Sequence, residues 1–196
     1  MATPLAEREA LNLQPRHRWT VAEYHRMGEV GLLNEDSRVE LIDGEIIEMA
    51  PIGSAHGGNV KRFIRLFSKV IGNKAIIAAQ DPVVLSGYAE PQPDISILRW
   101  RADDYEQSNP HPEDVLLLIE VSDSTLRYDR DVKIPLYAKN GIPEVWLLDI
   151  PNRQLEIYHE PINGEYRQRD CRLTGKIAPT LFPDAVIDLA DVFPNP

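Results

Sequence analysis

The sequence predicts a mixed α/β domain, a central β-sheet flanked by helices, and three observations predict it. Val115-Leu116-Leu117-Leu118-Ile119 is apolar without alternation, the pattern of a strand covered on both faces. Val145-Trp146-Leu147-Leu148 has the same character. Between them a helix-like stretch over roughly 129–140 stops at Asn140-Gly141, with Pro143 beyond it. That spacing is of crossover length and makes the two strands a right-handed parallel pair.

The other elements follow along the chain. Residues 1–18 are polar and broken by proline, which predicts a flexible N-terminal arm. Thr20 with Glu23 three residues on is a capping box, Trp19 and Tyr24 are placed as its staple, and a short helix over 20–30 follows. Residues 38–42 and 45–49 flank Asp43-Gly44, a type I′ turn pair, and predict a β-hairpin. Val60, Phe63, Ile64, Phe67, Val70 and Ile71 recur at helical spacing, so residues 56–71 form an amphipathic helix. Ala75 to Ala78, Pro82 to Leu85 and Asp94 to Leu98 are strand-like. Residues 99–114 are a polar surface excursion before the central strand, and Ser122-Asp123-Ser124-Thr125 is a turn and capping segment after it. Residues 155–158 and 165–167 around Asn163-Gly164 predict a second hairpin, and Ala185-Val186-Ile187 a last strand. No internal repeat or low-complexity segment is present.

A chain of 196 residues is most simply one domain, here 19–196 behind the arm. Its 43% hydrophobic and 27% charged residues fit a water-soluble globular fold. One cysteine, Cys171, cannot close an internal disulfide and fits a reducing compartment. The N-terminus lacks the apolar core of a secretory signal, and no apolar run approaches the ~20 residues of a membrane span. A cytoplasmic location is the expectation. The net charge of −10 argues against a protein that coats nucleic acid non-specifically, and leaves room for a nuclease with a locally basic groove.

Three charged residues carry the chemistry. Asp94 opens the strand Ile95-Ser96-Ile97, Glu120 ends the central strand, and Lys133 follows on the helix. A carboxylate at the rim of a buried strand is costly to desolvate unless a cation pairs with it. Asp94 supplies a second carboxylate to share that cation. Two carboxylates and a lysine at one sheet edge suit metal-assisted hydrolysis of a phosphodiester by Mg²⁺ or Mn²⁺, with Asp94, Glu120 and the Val121 carbonyl as ligands.

The ordered strings PQPDISIL, LLIEVSDST, Tyr128 to Lys133, Tyr137-Ala138 and GIPEVWLLD, with Glu40 to Glu45 upstream, resemble the Uma-two family of restriction-endonuclease-like proteins. That family lies within the PD-(D/E)xK nuclease superfamily. The resemblance spans about Thr20 to Asp149. It implies a restriction-endonuclease-like fold with a divalent metal at one sheet edge and a nucleic acid substrate, DNA first. Asp94 and Glu120 match the two motif acids, and Glu40 matches an acid near the start of the core. The superfamily lysine stands two residues after the second acid, where this chain has Ser122. The resemblance implies that the lysine has moved to the helix, as Lys133.

Blander readings stand beside these. Asp129 at i−4 offers Lys133 an ordinary helix pair. Glu40, alternating with Val39 and Leu41, has solvent as its simple destination, as do Glu45 and Glu48. Asp149 ends a strand as Glu120 does but resembles a turn residue. His56 is a helix-start residue that can also meet a phosphate, and Tyr137 either lines the cleft or packs in the core. Lys61, Arg62, Arg65 and Lys69 lie off the helix stripe and form the best basic ridge for a phosphate backbone. A two-fold homodimer through the arm or the C-terminal hairpin is the expected assembly, with no membrane partner. The rival to the enzyme is a non-catalytic nucleic-acid-binding or assembly module that retains the fold. Convergence of Asp94, Glu120 and Lys133 on one pocket separates the two.

Overall fold

A computed structural model of the chain describes residues 16–34 and 36–193. The expected N-terminal arm lies outside the described residues as far as position 15. Its end does not hang free: Arg18 donates to the Asp43 carbonyl at 2.9 Å, and Trp19 N–H to Gly44 O at 2.9 Å.

The capping box forms as the sequence dictates, with the Thr20 side chain accepting from Glu23 N–H and Glu23 reaching back, and it opens helix α1 (Val21–Glu29). Strands β1 (Val39–Ile42) and β2 (Glu45–Glu48) pair antiparallel across Asp43 and Gly44. Both turn residues have positive φ, 50° and 84°, as a type I′ turn requires. Helix α2 (Ser54–Ile71) buries Val60, Phe63, Leu66, Phe67 and Ile71. Phe67 meets Trp146 with ring centroids 5.6 Å apart. A Phe67→Ala truncation in such a site costs about 3–5 kcal/mol.

The main sheet has six strands in the order β3 (Ala75–Ala78), β4 (Ile95–Arg99), β5 (Val115–Ser122), β6 (Glu144–Asp149), β7 (Gln154–Ile162) and β8 (Glu165–Arg172). The pair β5 and β6 is parallel and the other neighbours are antiparallel, so the sheet is mixed and β5 is internal. All eight residues of β5 are buried. Leu117, Ile119 and Val121 pack toward α2, whereas Leu118 packs on the opposite face. Glu120 and Ser122 share the Leu118 face by alternation.

That face is covered by a continuous helical segment, α3, made of Leu126–Tyr128, a π-helical turn Asp129–Lys133, and Ile134–Lys139. The sequence predicts a plain helix here. Pro135 explains the difference: it has no N–H to donate, and its ring collides with the carbonyl four residues back in a regular helix. The wider turn just before it relieves both, and Ile134 N–H reaches Asp129 O, five residues back.

Residues 82–85 are not a strand, contrary to the sequence expectation. Val83, Val84 and Leu85 donate to Pro91, Pro110 and Ala89 respectively, three partners that form no single ladder. The second hairpin is longer than expected, since β7 and β8 run as the outer pair of the main sheet. The C-terminal strand shrinks to β10 (Ile187–Asp188), paired with β9 (Lys176–Ile177) and followed by helix α4 (Leu189–Val192). Arg62, read as part of a basic ridge, turns inward to donate to Asn59 and to Val192 O. Lys61, Arg65 and Lys69 remain exposed. Among the described residues no helix is long and apolar enough to cross a membrane.

Candidate active site

The hairpin β1–β2, the start of α2, the first residue before β4, the end of β5 and the π turn of α3 meet around a cleft of about 340 Å³. Glu40, Asp94, Glu120 and Lys133 all line it. The four residues singled out from the sequence are therefore brought together.

Lys133 is 4% exposed, and its Nζ lies 3.0 Å from Glu120 Oε1 and 3.2 Å from Glu40 Oε2. Burial alone would lower its pKa, but the charges of Glu120 and Glu40 outweigh burial and hold the ammonium well above its ordinary range. The helix pair with Asp129 does not form. Asp129 accepts from Ser122 Oγ at 2.5 Å and Thr125 Oγ1 at 2.7 Å.

Glu40 is buried rather than solvated, and it also accepts the Gln92 backbone N–H at 3.1 Å. Alternation turned it away from Val39 and Leu41 correctly, but the face it points to is the cleft wall. Asp94 Oδ2 accepts from Val121 N–H at 2.8 Å and bonds His56 Nε2 at 3.0 Å. The first bond ties the entry of β4 to the end of β5 and fixes the Val121 backbone beside the carboxylate. Glu120 Oε1 takes the Tyr137 hydroxyl as a second donor. Burial, reinforced by the charges of Asp94 and Asp129, pushes the Glu120 carboxyl up to about 8 against the pull of Lys133 and Tyr137.

Two residues of lesser weight in the sequence belong to the site. His56 comes from the first turn of α2, and its bond to Asp94 raises its pKa. Tyr137 is fully buried and orients Glu120. Tyr128 also lines the cleft, with a hydroxyl that is buried and without a hydrogen-bond partner among the described residues. Its place beside Asp129 in the Tyr128–Lys133 string was the one available signal. Asp149 proves to be the turn residue expected, accepting from the Asn152 backbone and side chain. Glu45 and Glu48 are exposed.

Among the described residues six carboxylates line the cleft (Glu40, Glu48, Asp94, Glu120, Asp123, Asp129) against two permanent cations, Arg38 and Lys133. Among the described residues no three His, Cys, Asp or Glu side chains group closely enough to hold a metal by themselves.

No curated protein matches the sequence. The solved structure of a "putative nuclease belonging to DUF820" from Anabaena variabilis has the same fold, with a TM-score of 0.69 at 17% identity, over 89% of this chain and 97% of that one. The family Uma2, described as "Putative restriction endonuclease", matches residues 21–190. With most of its length covered by that match, the chain belongs to the Uma2 family of nuclease-like proteins.

Proposed function

We propose that the protein is a metal-dependent endonuclease that hydrolyses phosphodiester bonds in DNA. One observation carries this reading: a buried lysine from α3 is held between Glu120 and Glu40 on the cleft where Asp94 also ends. The same convergence favours the enzyme over the binding module.

The residues present fit a divalent cation. Asp94 places both of its protein donors on Oδ2, and Glu120 places both of its own on Oε1. Each keeps a second oxygen that none of the hydrogen bonds among the described residues uses. The excess of carboxylates, and the proton that Glu120 retains to about 8, mark a cleft short of positive charge. Asp94 and Glu120, with the Val121 carbonyl and waters, would hold Mg²⁺ or Mn²⁺, ions that take oxygen ligands. Such an ion supplies Lewis-acid stabilisation to a phosphoryl oxygen.

The chain's own residues do the rest. Lys133 Nζ keeps its proton, orients an attacking water and stabilises charge that develops on the phosphoryl oxygens. Glu40, fixed by the Gln92 N–H, holds that ammonium together with Glu120. Tyr137 fixes Glu120, and Val121 N–H with His56 fixes Asp94. Preorganisation of this kind avoids rearrangement during the reaction.

The test is cleavage of a mixed DNA pool in Mg²⁺ or Mn²⁺ against a chelator control, with Glu120→Gln alongside. The expected result is metal-dependent cleavage by the native protein alone. Equal cleavage by the variant, or binding of DNA without cleavage in either metal, would overturn the reading. The second of those outcomes would favour the binding module.

A further inference from the structure

A second cleft, of about 760 Å³, adjoins the first. The two share five lining residues, among them Arg38, Gln80 and Gln92, so they form one groove leading from the acidic end to the flank of α1. Both volumes are in or near the range of small-molecule sites, roughly 300–1,000 Å³.

Arg38 stands at the junction. It precedes Glu40 by two residues, and both line the first cleft. Arg38 is exposed, and among the described residues its side chain makes no hydrogen bond or ion pair. The remaining strong cation of the groove, Lys133, is committed to Glu40 and Glu120. An uncommitted guanidinium beside a cleft of carboxylates has a planar set of donors to offer an incoming anion, and phosphate is the group that geometry suits.

The wall beyond Arg38 is of another kind. Tyr24 is held by its hydroxyl, which donates to Val39 O at 3.0 Å, and lines the cleft together with Leu33. The side-chain amides of Gln80 and Gln92 make no hydrogen bond among the described residues. An aromatic and apolar wall with free amides is the chemistry that holds an unpaired base, by stacking and by edge hydrogen bonds. A base inside a duplex cannot enter such a pocket without leaving its stack.

We propose that the second cleft is a nucleotide subsite: Arg38 binds the phosphate next to the scissile one, and the adjoining unpaired base lies against Tyr24 and Leu33, within reach of Gln80 and Gln92. The inference rests on the nuclease reading and names its substrate as nucleic acid that is single-stranded beside the cut.

Binding and chemistry are measured separately. Fluorescence anisotropy of a labelled single-stranded DNA 12-mer, in chelator so that nothing is cut, reads the subsite. Arg38→Ala removes the phosphate contact. Gly28→Phe fills the cleft from α1, at a position where an added Cβ meets nothing within 4 Å. Thermal melts check that both variants fold, and Arg38, being exposed, carries the test if Gly28→Phe does not. The expected result is a loss of at least tenfold in affinity for each folded variant, with a duplex of the same sequence binding the native protein at least tenfold more weakly. Unchanged affinity in Arg38→Ala, or a duplex bound as tightly as the single strand, overturns the subsite. Hydrolysis of bis(p-nitrophenyl) phosphate by the native protein reads the chemistry alone. Hydrolysis without any Arg38 dependence of binding sinks the subsite and leaves the nuclease standing. Arg38-dependent binding without hydrolysis sustains the subsite and removes the nuclease.

Discussion

Replacing Glu120 by glutamine tests whether the cleft is held short of positive charge. Burial comes first among the causes that lift this carboxyl from 4.5 to about 8, with Asp94 and Asp129 adding to it. Between those two values the folded protein keeps a proton that the unfolded chain has released. Stability therefore falls as pH rises across that window, is unaffected below it, and is lowest above it. At about 1.4 kcal/mol per pKa unit, a rise of this kind corresponds to a few kcal/mol of stability lost on full ionisation. Glutamine has no proton to lose, and its oxygen still accepts from Tyr137 and Lys133. Lys133 keeps its charge against Glu40 in either case. Urea unfolding in chelator at about pH 5 and about pH 8.5 should give similar stabilities for the two proteins at the lower pH and a more stable variant at the higher one. Added Mn²⁺ near pH 8.5 should then raise the stability of the native protein and leave Glu120→Gln unmoved, because only the ionised carboxylate gains from the ion. A difference between the two proteins that stays constant with pH would refute the reasoning. It would show Glu120 ionised throughout, as one half of an ordinary ion pair with Lys133.

Three further outcomes are expected. Lys133→Ala should abolish cleavage and, by leaving Glu40 buried without its cation, lower stability by about 3–5 kcal/mol in urea unfolding; Lys133→Arg should not restore the full rate, because a planar guanidinium replaces a compact point charge. Asp94→Asn should remove Mn²⁺ binding in titration calorimetry while keeping an acceptor for Val121 N–H, and equal binding would strip Asp94 of its ligand role. A two-fold homodimer should appear in light scattering at micromolar concentration, and a monomer there would dispose of the dimer.

What the sequence made legible was local. Asp43-Gly44 and Asn163-Gly164 announce their hairpins because few other pairs accept positive φ at both or either turn position. Thr20 and Glu23 announce a helix start because their side chains satisfy each other's backbone. The unbroken apolar run before Glu120 announces a strand with both faces covered. The illegible parts depended on partners distant in the chain. Whether residues 82–85 find one neighbouring strand or three separate acceptors is decided by the path of residues 89–110. Glu40 pointing away from Val39 and Leu41 is readable; that a cleft and a lysine wait on that side is not. His56 and Tyr137 carry no local mark that separates a site residue from a helix-start or core residue. Pro135 was a signal in plain view, since a proline inside a helix pattern requires some local departure from regular winding.

The hydrogen bonds at the end of β5 give a physical account of how a lysine can reach this site from a helix. Ser122 stands two residues past Glu120 on the same face of β5, the position from which a strand-borne lysine would reach the second acid. Its hydroxyl instead donates to Asp129, which also accepts from Thr125. The start of α3 is thereby pinned to Ser122 at the end of β5. In a regular helix Asp129 and Lys133 would lie on one face and claim each other, and the ammonium would be drawn away from Glu120. Here Asp129 is already occupied by two hydroxyl donors, both on Oδ2. Lys133 is left to Glu120 and Glu40, which hold it at 3.0 and 3.2 Å. The serine is therefore part of the same arrangement as the lysine, and a change there should disturb where the ammonium sits before it disturbs the fold.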